Sequence, residues 1–247
     1  MSPGYLRQVL LRRGLPEQSY LHSLPAVRFL LEGGRLDCSA PVTFLVGENG
    51  TGKSTLLEAI AVACGFNAEG GTRNFNFSTR ATHSPLGEYL TVSRSRYPRD
   101  GFFLRAESFY NAASYIDRLD EEPGPSLLDS YGGVSLHAQS HGESFLALVQ
   151  NRFGGEGLYL LDEPEAALSP ARQFALLGQM HLLVGEGSQL VVATHSPILM
   201  AYPGAAICLL SEKGIERTEY RHTEHYILTR RFLNDPEGML RTLFGDG

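Results

Sequence analysis

The stretch GENGTGKST, residues 47–55, constrains this 247-residue chain more than any other. It follows a short β-rich apolar run, APVTFLV at 40–46. It precedes STLLEAIAVACG, which has helix-forming composition and stops at Gly65. Gly47, Gly52, Lys53 and Ser54 meet the spacing G-x-x-x-x-G-K-[ST]. Glycines let successive backbone N–H groups turn inward around phosphate oxygens, where a Cβ would obstruct the turn. The following helix directs its positive end at the anion. Lys53 can reach the β- and γ-phosphates, and the Ser54 hydroxyl can ligate Mg²⁺. Glu48, Asn49, Gly50, Thr51 and Thr55 complete the expected phosphate cradle. Lys53 and Lys213 are the chain's two lysines among 21 basic residues, which sharpens the reading of Lys53.

A second chemical feature lies downstream. GLYLLDEP reads as a buried strand ending in Asp162 and Glu163, followed by Pro164. An apolar strand ending in acids suits a metal-holding carboxylate, Asp162, with Mg²⁺ bound directly or through water. Consecutive strand side chains face opposite ways, but where the backbone turns at the strand end Glu163 can face the γ-phosphate and polarise a water. SPARQFALLGQMHLLV has helical periodicity with a proline in its first turn, and QLVVATHS is another buried strand. AAICLLS and GIERTEY read as a hairpin, and the tail from 226 to 244 as helical segments interrupted at Asn234-Asp235-Pro236. Apolar strands alternating with helices imply an α/β fold, a mostly parallel sheet covered on both faces.

Composition narrows the class further. The net charge of −6 argues against a surface coated in nucleic acid, and 43% hydrophobic residues suffice for a real core. Cys38, Cys64 and Cys208 are far apart and form no CxxC pair, which fits a reducing compartment rather than a disulfide framework. The uncharged run from 187 to 211 contains two prolines and reads as strand, loop, strand rather than a membrane span. The expected location is cytoplasmic, with no transmembrane segment. Arg73, Arg80, Arg94, Arg96, Arg99 and Arg105 fall between the two motifs and read as a solvated charged face, with phosphate contacts as the alternative. His222 and His225 form an H-x-x-H pair that reads as a surface pair rather than a metal site.

In order and spacing these motifs resemble the ATP-binding-cassette (ABC) ATPases. QSHGESFL at 139–146 is similar to their signature, usually written LSGGQ, and VVATHSP puts His195 where the family has its switch histidine. The resemblance runs from about 42 to 197. It implies a P-loop fold with a smaller insertion lobe before the signature: one domain over 1–247, its core lobe at about 1–70 and 145–247, its insertion lobe at about 71–144. It also implies an ATPase using ATP and Mg²⁺, with two copies sandwiching two nucleotides head to tail. Carried over, Lys53, Ser54 and Asp162 hold MgATP, Glu163 is the general base or water-positioning group, and His195 senses the γ-phosphate. Ser140 and Gly142 then contact the nucleotide of the opposite copy, and the loop 166–169 crosses the interface.

Departures accompany the likeness. His141 replaces the first signature glycine and would crowd the partner nucleotide, and Ser169 stands where an aspartate is usual. No glutamine lies between Gln18 and Gln139, so Glu107 is the expected substitute for the metal-contacting glutamine. Phe29 or Tyr20 would stack on adenine. The forms DEPEAALSP and THSP, with SHGES, resemble the small stand-alone ATPases akin to the RecF and chromosome-maintenance group, although no heptad run occupies 53–140. The expectation is a soluble, ATP-dependent homodimeric switch or clamp acting on a protein or nucleic acid. The alternative is the motor subunit of a membrane transporter docking on a permease.

Overall fold

The computed structural model describes residues 4–12, 14–72, 84–106, 109, 113–114, 120, 136–138 and 140–245. In chain order the strands are β1 (Leu6–Leu11), β2 (Leu36–Asp37), β3 (Val42–Val46), β4 (Leu90–Arg94), β5 (Asp100–Arg105), β6 (Gly157–Asp162), β7 (Gln189–Ala193), β8 (Ala206–Ser211) and β9 (Gly214–Thr218). The helices are α1 (Pro25–Leu31), α2 (Lys53–Ala63), α3 (Leu86–Tyr89), α4 (His141–Arg152), α5 (Pro170–Gly185), α6 (Pro197–Met200), α7 (Glu224–Asn234) and α8 (Pro236–Phe244).

The central sheet has the order β5-β6-β7-β3-β8-β9. Every neighbouring pair is parallel except the β8–β9 hairpin. Such a sheet must be covered on both faces, and the alternation of side chains shows how. In β6, Leu158 and Leu160 enter one apolar cluster with α1 and α2, whereas Tyr159 and Leu161 enter another with α4 and α5. In β7, Val191 and Ala193 face the first cluster, and Leu190 and Val192 face the second. Each fully buried aliphatic side chain of this kind contributes about 1.5–3 kcal/mol. With both faces packed, the carboxyl ends of β3, β6 and β7 are held in fixed register at one edge.

A second, antiparallel sheet, β2-β1-β4, lies over the first cluster. Gln189 joins the two: its Oε1 accepts from Leu6 N at 2.8 Å, and its Nε2 donates to Leu6 O at 2.9 Å. This arrangement corrects the expected lobe boundary. Residues 90–105 fall inside the range assigned to an insertion, yet β4 pairs with β1 and β5 pairs with β6. Alternation of apolar and polar residues in LTVSR makes the first of these strands, and the continuous apolar run GFFL, buried on both faces, makes the second. Among the described residues no helix is long and apolar enough to cross a membrane.

Candidate functional site

The loop 47–52 connects β3 to α2 in the expected strand–loop–helix context. Gly52 caps α2 at φ 97°, a left-handed conformation unfavourable for other residues. A Cβ on Gly47 would run into Leu210 O. Thr51 Oγ1 donates to Glu48 O at 2.9 Å, which tightens the loop. Lys53 is 4% exposed, and its ammonium donates to Gly47 O at 2.8 Å and Glu48 O at 3.0 Å. It has no ion pair among the described residues. Burial pulls the Lys53 ammonium below its usual range, opposed by the nearby Glu163 and Asp162 carboxylates. A buried ammonium whose hydrogen bonds go to loop carbonyls can turn them to an incoming phosphate, a stronger, charge-assisted acceptor.

Asp162 ends β6 and is buried. Arg105 on β5, its register partner, places Nε 3.5 Å from Asp162 Oδ2 and donates from Nη1 to Glu58 Oε2 at 2.6 Å. Glu163 then turns sharply, with φ 48° and ψ 52°. A left-handed non-glycine residue costs about 1–2 kcal/mol. The conformation is secured by Glu163 N donating to Ala193 O at 2.9 Å and by Pro164 behind it. Because of this turn, Asp162 and Glu163 both line one cleft of about 230 Å³ with Ser54, Ala106, His141 and Ala166. One hydroxyl and one carboxylate, with room beside them, suit Mg²⁺, which keeps waters and phosphate oxygens among its ligands. Glu107, the expected third metal contact, lies outside the described residues, as do Arg73, Arg80 and Gln139.

His195 follows β7, beside the carboxylates. Its Nε2 lies 3.8 Å from Glu163 Oε1. Its backbone N–H donates to Glu165 Oε1 at 2.5 Å, while Thr194 Oγ1 donates to Glu165 Oε2 at 2.8 Å. Glu165 therefore ties the loop after β6 to the loop after β7, a role that sequence reasoning missed. Its carboxyl is pushed up by burial, partly opposed by these hydrogen bonds. Burial, and then Lys53, holds the His195 imidazole below its usual value.

The signature residues lie at the start of α4. Ser140 is exposed and forms a capping box, its N and Oγ donating to Glu143 Oε2 at 3.1 and 2.5 Å. Arg172 on α5 donates to Glu143 Oε1 at 2.9 Å. Gly142 is buried, and a Cβ there would press on Ala167 O and Arg172. Of the two signature residues expected at a partner's nucleotide, Ser140 is thus the exposed one. His141 lines this chain's own cleft, edge-on to Phe109 with ring centroids 5.3 Å apart.

Three minor expectations resolve differently. The described arginines form no shared phosphate patch: Arg94 donates to Ala63 O, Arg96 lies over the Tyr5 ring, and Arg99 pairs with Glu156. The H-x-x-H pair is split, with His222 exposed near Glu219 and His225 turned inward onto His195. Phe29 packs against Gly34 and Gly214, whereas Tyr20 is 60% exposed.

A parallel sheet with a phosphate loop and two adjacent carboxylates at its carboxyl edge has the make-up of a P-loop nucleotide hydrolase. Residues 25–99 match an AAA-domain family model. Residues 131–201 match a second AAA-domain model, whose description also mentions the AbiEii toxin of a type IV toxin–antitoxin system. An uncharacterized ABC transporter ATP-binding protein of Haemophilus influenzae is 24% identical over 213 residues, 79% of this chain and 78% of that one. The cobalt import ATP-binding protein CbiO of Salmonella typhi is 26% identical over 205 residues, 75% of this chain and 73% of that one. An inward-facing ABC transporter structure, described as of metal-chelate type, superposes with a TM-score of 0.51 at 17% identity, covering 91% of this chain and 88% of that one. By its site and by these matches the chain is a P-loop ATPase similar to the ATP-binding-cassette proteins.

Proposed function

We propose that two copies of this chain close around MgATP and reopen on hydrolysis, forming a switch that acts on a protein or nucleic-acid partner on the cytoplasmic side. The observation that supports this is a division of labour. The buried Lys53 with Ser54, Asp162 and Glu163 forms one half-site, and exposed Ser140 at the start of α4 forms the other. In this reading Lys53 and the loop N–H groups hold the β- and γ-phosphates. Ser54 and Asp162 hold Mg²⁺, with Glu107 the expected further contact. When bound, Mg²⁺ neutralises charge on the phosphate oxygens. Glu163 accepts a proton from the attacking water, and His195 presents a ring nitrogen to the γ-phosphate. Ser140 of one copy donates to the nucleotide held by the other. Tyr20, exposed on the turn before α1, suits adenine better than Phe29, which is packed away.

The test is the mass of Glu163→Gln by sedimentation with and without MgATP. A nucleotide-dependent dimer is expected, and a monomer under both conditions would overturn the reading. A second reading, the motor subunit of a transporter, is favoured by the ABC transporter relatives. The apolar groove it requires beside residue 107 falls outside the described residues. Hydrolysis that appears only with a permease would favour it.

A further inference from the structure

His225 is the second residue of α7, thirty positions beyond His195. Its Nε2 lies 3.0 Å from His195 Nδ1, with ring centroids 5.2 Å apart and planes inclined at 53°. The outward nitrogens, His195 Nε2 and His225 Nδ1, are buried without hydrogen-bond partners among the described residues. Two facing ring nitrogens at this distance share one proton, so the pair has two neutral arrangements.

If His195 donates, its Nε2 carries a lone pair and aims it at the Glu163 carboxylate 3.8 Å away, which is repulsive. If His225 donates, His195 carries its proton on Nε2, facing the Glu163 carboxylate. His225 Nδ1 then bears the lone pair at the N-terminal end of α7, where the helix dipole favours negative charge. Thr223, fully buried, fixes that end by accepting from Tyr226 N and donating to Tyr220 O. Both electrostatic comparisons select the same arrangement.

We infer that His225 donates its Nε2–H to His195 Nδ1 and thereby fixes His195 as the Nε2–H tautomer, the form that offers a proton donor to the γ-phosphate. His225 is a positioning residue, acting through His195 without touching nucleotide. The inference rests on the reading of His195 as a phosphate-facing group. Burial and then the Lys53 ammonium shift His195 toward the neutral form, and burial followed by His195 itself does the same for His225. His195 is then held twice, its backbone by Glu165 and its ring by His225.

Long-range ¹H–¹⁵N correlation on the nucleotide-free full chain reads the tautomer directly, with His195 assigned by loss of its signals in His195→Gln. The expected pattern is a protonated Nε2 and a bare Nδ1. A protonated Nδ1, or the averaged pattern of an exposed histidine such as His222, would overturn the inference. In turnover assays His225→Phe should lower kcat about 10-fold at unchanged KM for ATP, with His225→Gln, which keeps an N–H donor, recovering most of the loss. Equal loss in both variants would also overturn it. Where His225→Phe fails to fold, the wild-type tautomer decides. Unchanged kcat in His195→Ala would instead remove the phosphate-facing reading and leave the proton assignment standing.

Discussion

The two halves of the candidate site are built on different principles. The Lys53–Asp162–Glu163 half grows from the carboxyl ends of strands packed on both faces, and its charges face inward. The Ser140 half sits on the exposed start of α4, and its polar groups are satisfied locally by Glu143 and Arg172. The first half is a preformed cradle whose ammonium is held by loop carbonyls. The second is a capped helix end, and in the proposed role Ser140 would exchange Glu143 for a phosphate acceptor. On the proposed two-copy reading, the contrast teaches that nucleotide affinity and turnover should be separable, with binding assigned to one copy and hydrolysis to two.

The largest expected effect tests the first half. Glu163→Gln should bind ATP yet lower kcat by about 10² to 10⁴, the range for a lost acid–base group, in phosphate-release assays. Near-normal turnover would remove Glu163 from the role. Ser140→Ala sharpens the contrast: kcat should fall about 10²-fold, as for one lost donor to developing charge, with ATP binding to the monomer unchanged by calorimetry. Lys53→Ala should show the opposite pattern, losing about 10- to 100-fold in ATP affinity with its charge-assisted contacts. Equal effects of these two variants on binding would break the division.

How much of this was legible in residue order differs between the same two halves. The phosphate loop, the strand ending in Asp162 and Glu163, and the strand leading to His195 are local patterns, and each folds as its periodicity implies. The hairpin after 206 and the break at Asn234-Asp235-Pro236 are equally local. Contacts across long separations were not legible. Glu165 meets His195 thirty residues on, and His225 meets His195 from a helix that presents no buried residue of its own. LTVSR was hidden because it is short and lies within a polar, arginine-rich stretch, and β1 because Arg7 interrupts its apolar run and Arg12 follows it. Both strands are fixed by pairing with each other.

Smaller effects probe the links between the halves. Glu165→Ala leaves two buried donors, His195 N–H and Thr194 Oγ1, without their acceptor and should cost about 1–3 kcal/mol in urea unfolding. The smallest effect is a pH dependence. Burial holds both His195 and His225 below the usual 6.5, so the unfolded chain binds protons that the folded chain refuses. Their contribution is full above 6.5 and is lost as pH falls through the depressed folded values. His225→Phe should flatten that acid-side decline, and an unchanged decline would show that the pair does not titrate as described.

The most direct measurement is phosphate release by the purified chain as a function of its own concentration at saturating MgATP. A specific rate that rises with concentration and then levels is expected, because on the proposed reading each active site takes Ser140 from a second copy. A specific rate that is substantial and independent of concentration down to fully monomeric chain would contradict the two-copy site.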